Sequence, residues 1–466
     1  MVFVRDDAAV ALPSPRQEVK TSMRLARIFF MIFVAGMVAV VVGGTIAYSV
    51  ADRAPGELMR YVERRLIGHP KLEFFSKPFF AQVRPLIERP AISPIPAMGA
   101  GQQAGIFSPQ EYDPNGHPLA ARRAAVGSGG YVATTYIAPG DDIAKVLLAA
   151  KPGDVIELTP GTYSMRRTVR IRNGGAAGMP IVLRAAEPGT VVIEKTSSEG
   201  FHLHAPYWVF ENLVIKGTCP VHSNCEHAFH IVGGAHSIVI RNNRIEDFNA
   251  QIKVNGFGSH WPDFGLVQYN TLSNSVPRNT SHPVTPVDIV AADGWVTADN
   301  IIEHFVKLDG NQIAYGVFMK GGGNNGKIER NVVNCARSDI SQKGKRVGVG
   351  LGGGGTNPVS LCRDGRCVTE FSNGAITDNL IANCNDFGVY VNKSNQTSIS
   401  GNVLLNTYGI DVRFGESSAQ VTQNVIEGIV RARDGASVRA ADNTQPWRAD
   451  IQSVYSDLTA RYSLTR

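Results

Sequence analysis

The sequence predicts an all-β chain wound as a right-handed parallel β-helix, a solenoid opened by a short capping helix and preceded by one transmembrane helix and a spacer. Three observations carry this reading. An asparagine-centred repeat runs from about residue 200 onward. The composition, with 48 glycines, 8% aromatic and 18% charged residues, suits many short strands joined by turns. A charge-free run stands near the N-terminus. At 466 residues the chain exceeds the usual single-domain size, and one elongated repeat architecture accounts for that length better than several domains.

Residues 28–51, IFFMIFVAGMVAVVVGGTIAYSVA, contain no charged side chain and at helical rise suffice to cross a bilayer core of about 30 Å. Arg16, Lys20, Arg24 and Arg27 precede the run and Asp52 and Arg53 follow it. The positive-inside bias therefore places residues 1–27 in the cytoplasm and the rest in the periplasm or outside, making a single-pass inner membrane protein. A cleaved signal peptide with small residues near Ser49 is the rival, but the apolar run is longer than a typical signal core. Residues 52–131 mix charged, helix-compatible segments with RPAISPIPAMGAGQQAG, a spacer composition. The β-helix then occupies 132–445. Asp141 or Asp142 can cap a short amphipathic helix, Pro152-Gly153 ends it, and Val155, Ile156 and Leu158 begin the first strands. Residues 446–466, with DIQSVYSDLTARY, read as a helix covering the open end of the solenoid.

The formal charge is +6, yet residues 1–130 hold 15 Lys+Arg against 10 Asp+Glu, leaving 31 against 30 beyond them. A nearly neutral body argues against nucleic acid as a partner. The six cysteines fit an oxidising compartment. Cys219 and Cys225 are close in sequence, as are Cys362 and Cys367, while Cys335 and Cys384 end the similar segments NVVNC and NLIANC. Three local disulfides are the reading, six free thiols the alternative, and zinc is disfavoured because no CxxC pair is present.

The repeat is centred on Asn212, Asn243, Asn270, Asn300, Asn331, Asn379, Asn402, Asn424 and Asn443. Each is followed, except the last, by apolar residues, and one such unit without helical periodicity reads as one coil. Asparagines stacked at one corner bond each other and the turn backbone, so their role is structural.

Upstream of them lie GFHLHA, AFHIVG, AQIKVNG, PVDIVA, YGVFMKG, VGVGLGG, FGVYVNK and YGIDVRF. Strand side chains alternate faces, so Phe201, Leu203, Phe229, Ile231, Ile252, Val254, Val317 and Met319 and their equivalents fill the interior. The alternate residues point outward. His230, Lys253 and Asp288 then form one ladder, with Lys320 diagonally beyond Asp288, next to a shallow floor left by Gly350 and by Gly352, Gly353, Gly354 and Gly355. Connections carrying Lys343, Lys345, Arg346, Arg363 and Arg366 would wall a groove for an extended polar ligand. Asn255, Tyr390, Asn392 and Arg413 join it as candidate sugar contacts. His202 and His204 lack a third metal ligand at clear spacing. The outward carboxylates Asp288 and Asp411, three coils and roughly 14 Å apart by strand spacing, exceed the limit of about 9.5 Å for a glycosidase pair.

Residues 142–195, with AAKPGDVIELTPGTY and GMPIVLRAAEPGTVVIE, resemble the opening of the polysaccharide lyases of family six. These include alginate lyases and chondroitinase B and belong to the pectin-lyase-like β-helix superfamily. The superfamily resemblance covers about residues 132–445. It implies an acidic polysaccharide or oligosaccharide as partner, cleaved by β-elimination or epimerised at C5, and Lys320 in YGVFMKGGG falls where the family places its base. It also implies calcium, but Tyr315 stands where the family has an acidic calcium ligand and Gly352 where it has a catalytic arginine. Elimination at a uronate needs proton removal, neutralisation of the carboxylate and protonation of the leaving oxygen. Lys320 is the first candidate base and needs a cationic neighbour such as Lys253 or desolvation. His230 is the second, and Arg346 or Arg363 the bidentate partner of the carboxylate. The alternatives are an enzyme of this kind and a non-catalytic glycan-binding or scaffold protein of an envelope or exopolysaccharide assembly. No metal ligand set is evident.

Overall fold

The computed structural model describes residues 132–336, 340–353 and 356–445, a helix α1 (Pro70–Ile87), and positions 59, 62 and 66. The expected cytoplasmic segment, transmembrane helix and C-terminal cap (1–27, 28–51 and 446–466) lie outside the described residues, as does most of the spacer. Among the described residues no helix is long and apolar enough to cross a membrane.

Residues 132–445 form a parallel β-helix. Its three long sheets hold twelve, ten and ten strands, and every ladder between successive coils is parallel, as from Val239–Arg241 to Leu266–Gln268, Arg244–Glu246 to Thr271–Ser273, and His227–Val232 to Ala250–Asn255. The first coil is closed by α2 (Ile143–Ala149), where the Asp142 side chain accepts from Lys145 N and Ile143 and Leu147 are buried. A short helical turn, α3 (Pro358–Leu361), opens on Asn357, which accepts from Val359 N and Ser360 N.

One ten-stranded sheet carries the candidate site. Its strands are β1 (Val169–Ile171), β2 (Glu199–Leu203), β3 (His227–Val232), β4 (Ala250–Asn255), β5 (Val287–Val290), β6 (Ile313–Lys320), β7 (Lys345–Leu351), β8 (Val389–Asn392), β9 (Gly409–Arg413) and β10 (Ile429–Arg433). The alternation in sequence sets its inner face: Phe201, Phe229, Ile252, Val287, Val317, Val349, Val389 and Ile410 are all fully buried. A glycine lies within β6 and β7, just before β8 and at the start of β9, in YGV, VGV, FGV and YGI. A Cβ on Gly316 or Gly348 would sit 2.6 or 2.5 Å from the carbonyl oxygen of the next coil, so only glycine allows that approach.

At another corner, eight buried or half-buried asparagines from Asn243 to Asn443 form a continuous ladder. Asn300 is representative: its N and Nδ2 donate to Asn331 Oδ1 at 3.0 and 2.9 Å, and Nδ2 also donates to the carbonyls of Val267 and Ala298. Asn212 is not a rung. Leu213 N occupies the rung position, donating to Asn243 Oδ1, while Asn212 pairs with Asn242 one place earlier, where both adopt left-handed backbone. Cys219–Cys225, Cys335–Cys384 and Cys362–Cys367 are all disulfide-bonded, which agrees with the expected pairing.

Candidate functional site on the outer sheet face

Register defines the outer face of the β1–β10 sheet. Arg170, His202, His230, Lys253, Asp288, Phe318, Gly350, Tyr390, Asp411 and Arg431 occupy one column. Lys320 pairs with Val290, two residues along from Asp288, and is thus diagonal to it as expected. Both lysines converge on that carboxylate. Lys253 Nζ donates to Asp288 Oδ2 at 2.5 Å, and Lys320 Nζ lies 3.4 Å from Oδ1 and 4.2 Å above the centre of the Phe318 ring. Asp288 is only 2% exposed. Burial alone would raise its carboxyl, but Lys253 and then Lys320 outweigh that and hold it at about 2. The lysines themselves remain partly open to solvent.

At Gly350 the expected glycine floor is filled, and Gly354 and Gly355 lie outside the described residues. The rings of Tyr315 and Phe318 stack at 4.1 Å with planes 6° apart, and both pack where a Gly350 Cβ would be, Phe318 at 3.1 Å and Tyr315 at 3.4 Å. Gly350 therefore makes room for aromatic rings, not for a ligand. Gly352 sits at φ 71°, facing Asn392 O, as a strand-end turn. Gly353 is nearer the lysine: a Cβ there would meet Glu370 Oε2 at 2.9 Å and Lys320 Cδ at 3.3 Å. Buried Glu370 also accepts from Thr356 Oγ1 at 2.6 Å.

Arg346 does not reach the groove. It is 1% exposed, and its guanidinium donates to the carbonyls of Ile340, Gln342 and Lys343, which fastens its own connecting loop. Arg363 does stand in a wall, but it is engaged bidentately by Asp263 at 2.7 and 3.0 Å and approached by Asp293 at 3.3 Å. Tyr390 and Asn392 lie together on β8, with Asn392 Nδ2 donating to Tyr390 Oη at 2.8 Å and to Gly353 O at 3.2 Å. Arg413 is paired with Asp434 and stacked 4.3 Å from the Phe414 ring. Asp411 lies four strand steps from Asp288, one more than the sequence count, and is fully buried against Arg431 and Arg433. It serves the fold.

The N-terminal half of the column holds a group that sequence reasoning missed. Glu199 opens β2 and reaches both imidazoles beside it. Its Oε1 lies 2.6 Å from His230 Nδ1 and its Oε2 2.9 Å from His202 Nδ1. His202 and His230 stack at 4.7 Å, and His204 stacks on His202 at 4.5 Å. His230 Nε2 faces Asn255 Oδ1 at 2.8 Å. The contacts from His202 and then His230 outweigh burial and hold the Glu199 carboxyl well below the usual range. Burial pushes His227, whose ring centre is 5.1 Å from that of His230, down to about 3. Glu199 shares the parity of Phe201 and Leu203, so alternation assigns it inward. At the strand's first residue the chain is still leaving the corner, and the side chain turns out. The spacing Glu-x-x-His in EGFH was the available signal.

The residues around Lys320 do not fit calcium, which takes six to eight oxygen ligands. Asp288 already faces two ammonium groups, and Tyr315 is half-buried in its stack on Phe318. Among the described residues, Glu199, His202 and His230 are the one group of three or more potential metal ligands, and two of its three donors are nitrogens.

Comparison with known proteins places this geometry in context. The Chondroitinase B family model matches residues 137–276, a span that includes Glu199, His202, His230 and Lys253 and ends before Asp288 and Lys320. Pectate lyase L of Dickeya chrysanthemi is 28% identical over 143 residues, 28% of this chain and 30% of that protein. The chain thus spans less than a third of the curated relative it matches. Both bear out the resemblance to β-helix polysaccharide lyases. Similar solved structures include pectate lyase Pel9A (TM-score 0.42, 15% identity, 68% of this chain and 80% of that one). The A-module of the Azotobacter vinelandii mannuronan C-5 epimerase AlgE6 scores 0.38 at 15% identity, over 64% and 73% of the two chains. The family PL6 polysaccharide lyase Pedsa3628 of Pseudopedobacter saltans scores 0.34 at 13% identity, over 68% and 95%.

Proposed function

We propose that the chain is a carbohydrate-active enzyme, a lyase or C5-epimerase of an acidic polysaccharide, working on the outer face of the β1–β10 sheet. One observation carries the reading: Lys253 and Lys320, from different coils, meet at a single buried carboxylate on a face whose neighbouring rungs are imidazoles. The Chondroitinase B match and the likeness to a pectate lyase support it. Asp288, ionised throughout the neutral range, orients both ammonium groups and takes no proton. A uronate carboxylate entering beside them draws Lys253 from Asp288 and is neutralised by it. Lys320, after releasing a proton to solvent, takes the C5 proton as an amine and, in a lyase, passes it to the C4 oxygen. In a lyase the C4–O bond breaks and a C4–C5 double bond forms. In an epimerase a proton returns to C5 from the other face.

A second reading is a glycan-binding protein without turnover. Two features favour it: Lys320 rests as an ion pair over an aromatic ring, and Gly352 stands in place of an arginine. The experiment incubates the detergent-purified full chain with a panel of uronate polymers, following absorbance of unsaturated ends and uronate ratios by NMR. Lys320→Ala is expected to lower turnover about 10²- to 10⁴-fold. Retained turnover in that variant sinks the assignment of the base, and binding without turnover in either chain supports the second reading. The proposal also tethers the protein by residues 28–51 to the inner membrane with the β-helix in the periplasm, in keeping with three disulfides. Recovery of the intact chain in the alkali-washed membrane fraction is the expected result.

A further inference from the structure

The Glu199–His202–His230 group lies two to three strands from Asp288 and is not required by the lysine chemistry. Its geometry has features that ion pairing alone leaves unexplained. The amide of Asn255 is fixed, because its Nδ2 donates to Gly256 O at 3.0 Å, so its Oδ1 faces His230 Nε2 at 2.8 Å. That nitrogen therefore carries a hydrogen, and the ring's other nitrogen, Nδ1, is turned toward the Glu199 carboxylate at 2.6 Å. On the adjacent strand His202 Nδ1 also points into the group. It is shut off from solvent and lies 2.9 Å from Glu199 Oε2, yet it is not aligned for a hydrogen bond with any partner. Two ring nitrogens and a carboxylate thus converge with their donor atoms within 4.8 Å of one another. A cation among them satisfies all three at once.

We infer that Glu199, His202 and His230 bind a divalent transition-metal ion of the zinc class. Imidazole and carboxylate together suit zinc and its neighbours, whereas calcium and magnesium take oxygen. Asn255 acts as the positioning residue: ligating histidines characteristically donate their second N–H to an oxygen that fixes the ring. The ligands come from two hydrogen-bonded strands in register, β2 and β3, a rigid base for a metal. Three protein ligands leave a fourth coordination position for water or another ligand. Arg170 and Lys253 flank the group in register. They weaken its hold on a dication and favour an anionic fourth ligand. This inference stands apart from the proposed turnover, since it concerns binding of the metal alone.

The test uses the full chain without a histidine tag, stripped by chelator and titrated with zinc chloride by calorimetry, with metal content measured after dialysis. One equivalent of zinc is expected, unaffected by millimolar calcium. Asn255→Ala should weaken binding about 10- to 100-fold, and His202→Ala/His230→Ala should abolish it. His260→Ala, an exposed histidine outside the group, should bind as the wild type does. Cobalt on the unaltered chain gives a readout independent of variant folding: visible bands of a low-coordinate nitrogen–oxygen site are expected. Zinc retained by the double variant, loss of the ion on dialysis of the wild type, or equal binding of calcium overturns the inference. The group is then a hydrogen-bonded imidazole–carboxylate cluster only.

Discussion

At the scale of single residues, Asp288 is the group on which the lysine pair depends. A carboxylate removed from water is stabilised only by its partners, and here two ammonium groups supply that stabilisation from one side. Asp288→Asn removes the buried charge but leaves two cations facing one another. Breaking a buried pair in this way costs about 3–5 kcal/mol, and the lower end applies because both ammonium groups reach solvent and can rehydrate. The pH dependence has a definite sign. The folded carboxyl titrates at about 2, below the unfolded value of about 3.9. Its contribution is therefore complete above about pH 4 and is lost as pH falls through about 2, a change on the order of 2 kcal/mol. Urea midpoints of wild type and Asp288→Asn should converge between pH 5 and pH 2. A gap independent of pH would show that the destabilisation is steric and not ionic.

At the scale of elements, the asparagine ladder and the alternating strands do different work. An interior rung such as Asn331 accepts from Asn300 N and Nδ2 and donates to Thr297 O, Glu329 O and Asn379 Oδ1. Asn331→Ala orphans several buried groups, each costing about 1–3 kcal/mol, so a loss of at least about 3 kcal/mol in denaturant titration is expected. Asn443→Ala, at the half-exposed end where water can substitute, should lose about 1 kcal/mol. Equal losses would refute the ladder as a cooperative element. These elements were legible because both rest on local rules, a period of two along a strand and one amide per coil. What occupies the outer face was less legible. Nothing in VGVGLGG discloses that Phe318 and Tyr315 fill the space above Gly350, or that Arg346 turns back onto carbonyls of its own loop. The aromatic packing depends on contacts between successive coils, and the arginine on the local path of its loop, whose carbonyls lie 3 to 6 residues away. The rung order His230–Lys253–Asp288 was readable, whereas Glu199 was hidden by its strand-end geometry.

At the scale of the whole molecule, each coil touches only its neighbours, so stability is a sum of coils and interfaces, and the weakest coil governs local opening. The longest coil runs between Asn331 and Asn379 and carries β7, α3 and the loop beside Lys320. Cys335–Cys384 joins its two ends across 49 residues of sequence, whereas Cys219–Cys225 and Cys362–Cys367 close only 6 and 5. In the loop-entropy account, closing the long segment stabilises by about 4 kcal/mol and the short ones by about 2 kcal/mol. Paired serine substitutions should therefore lower the urea midpoint most for Cys335→Ser/Cys384→Ser. That variant should also become susceptible to limited proteolysis within residues 340–373 before the coils carrying Glu199 and His230 are cut. If zinc binding at the N-terminal coils persists in it while any turnover at Lys320 falls, the two sites lie in separately opening parts of the solenoid. If both are lost together, the β-helix unfolds as one cooperative unit, and the nearest-neighbour picture of its stability fails.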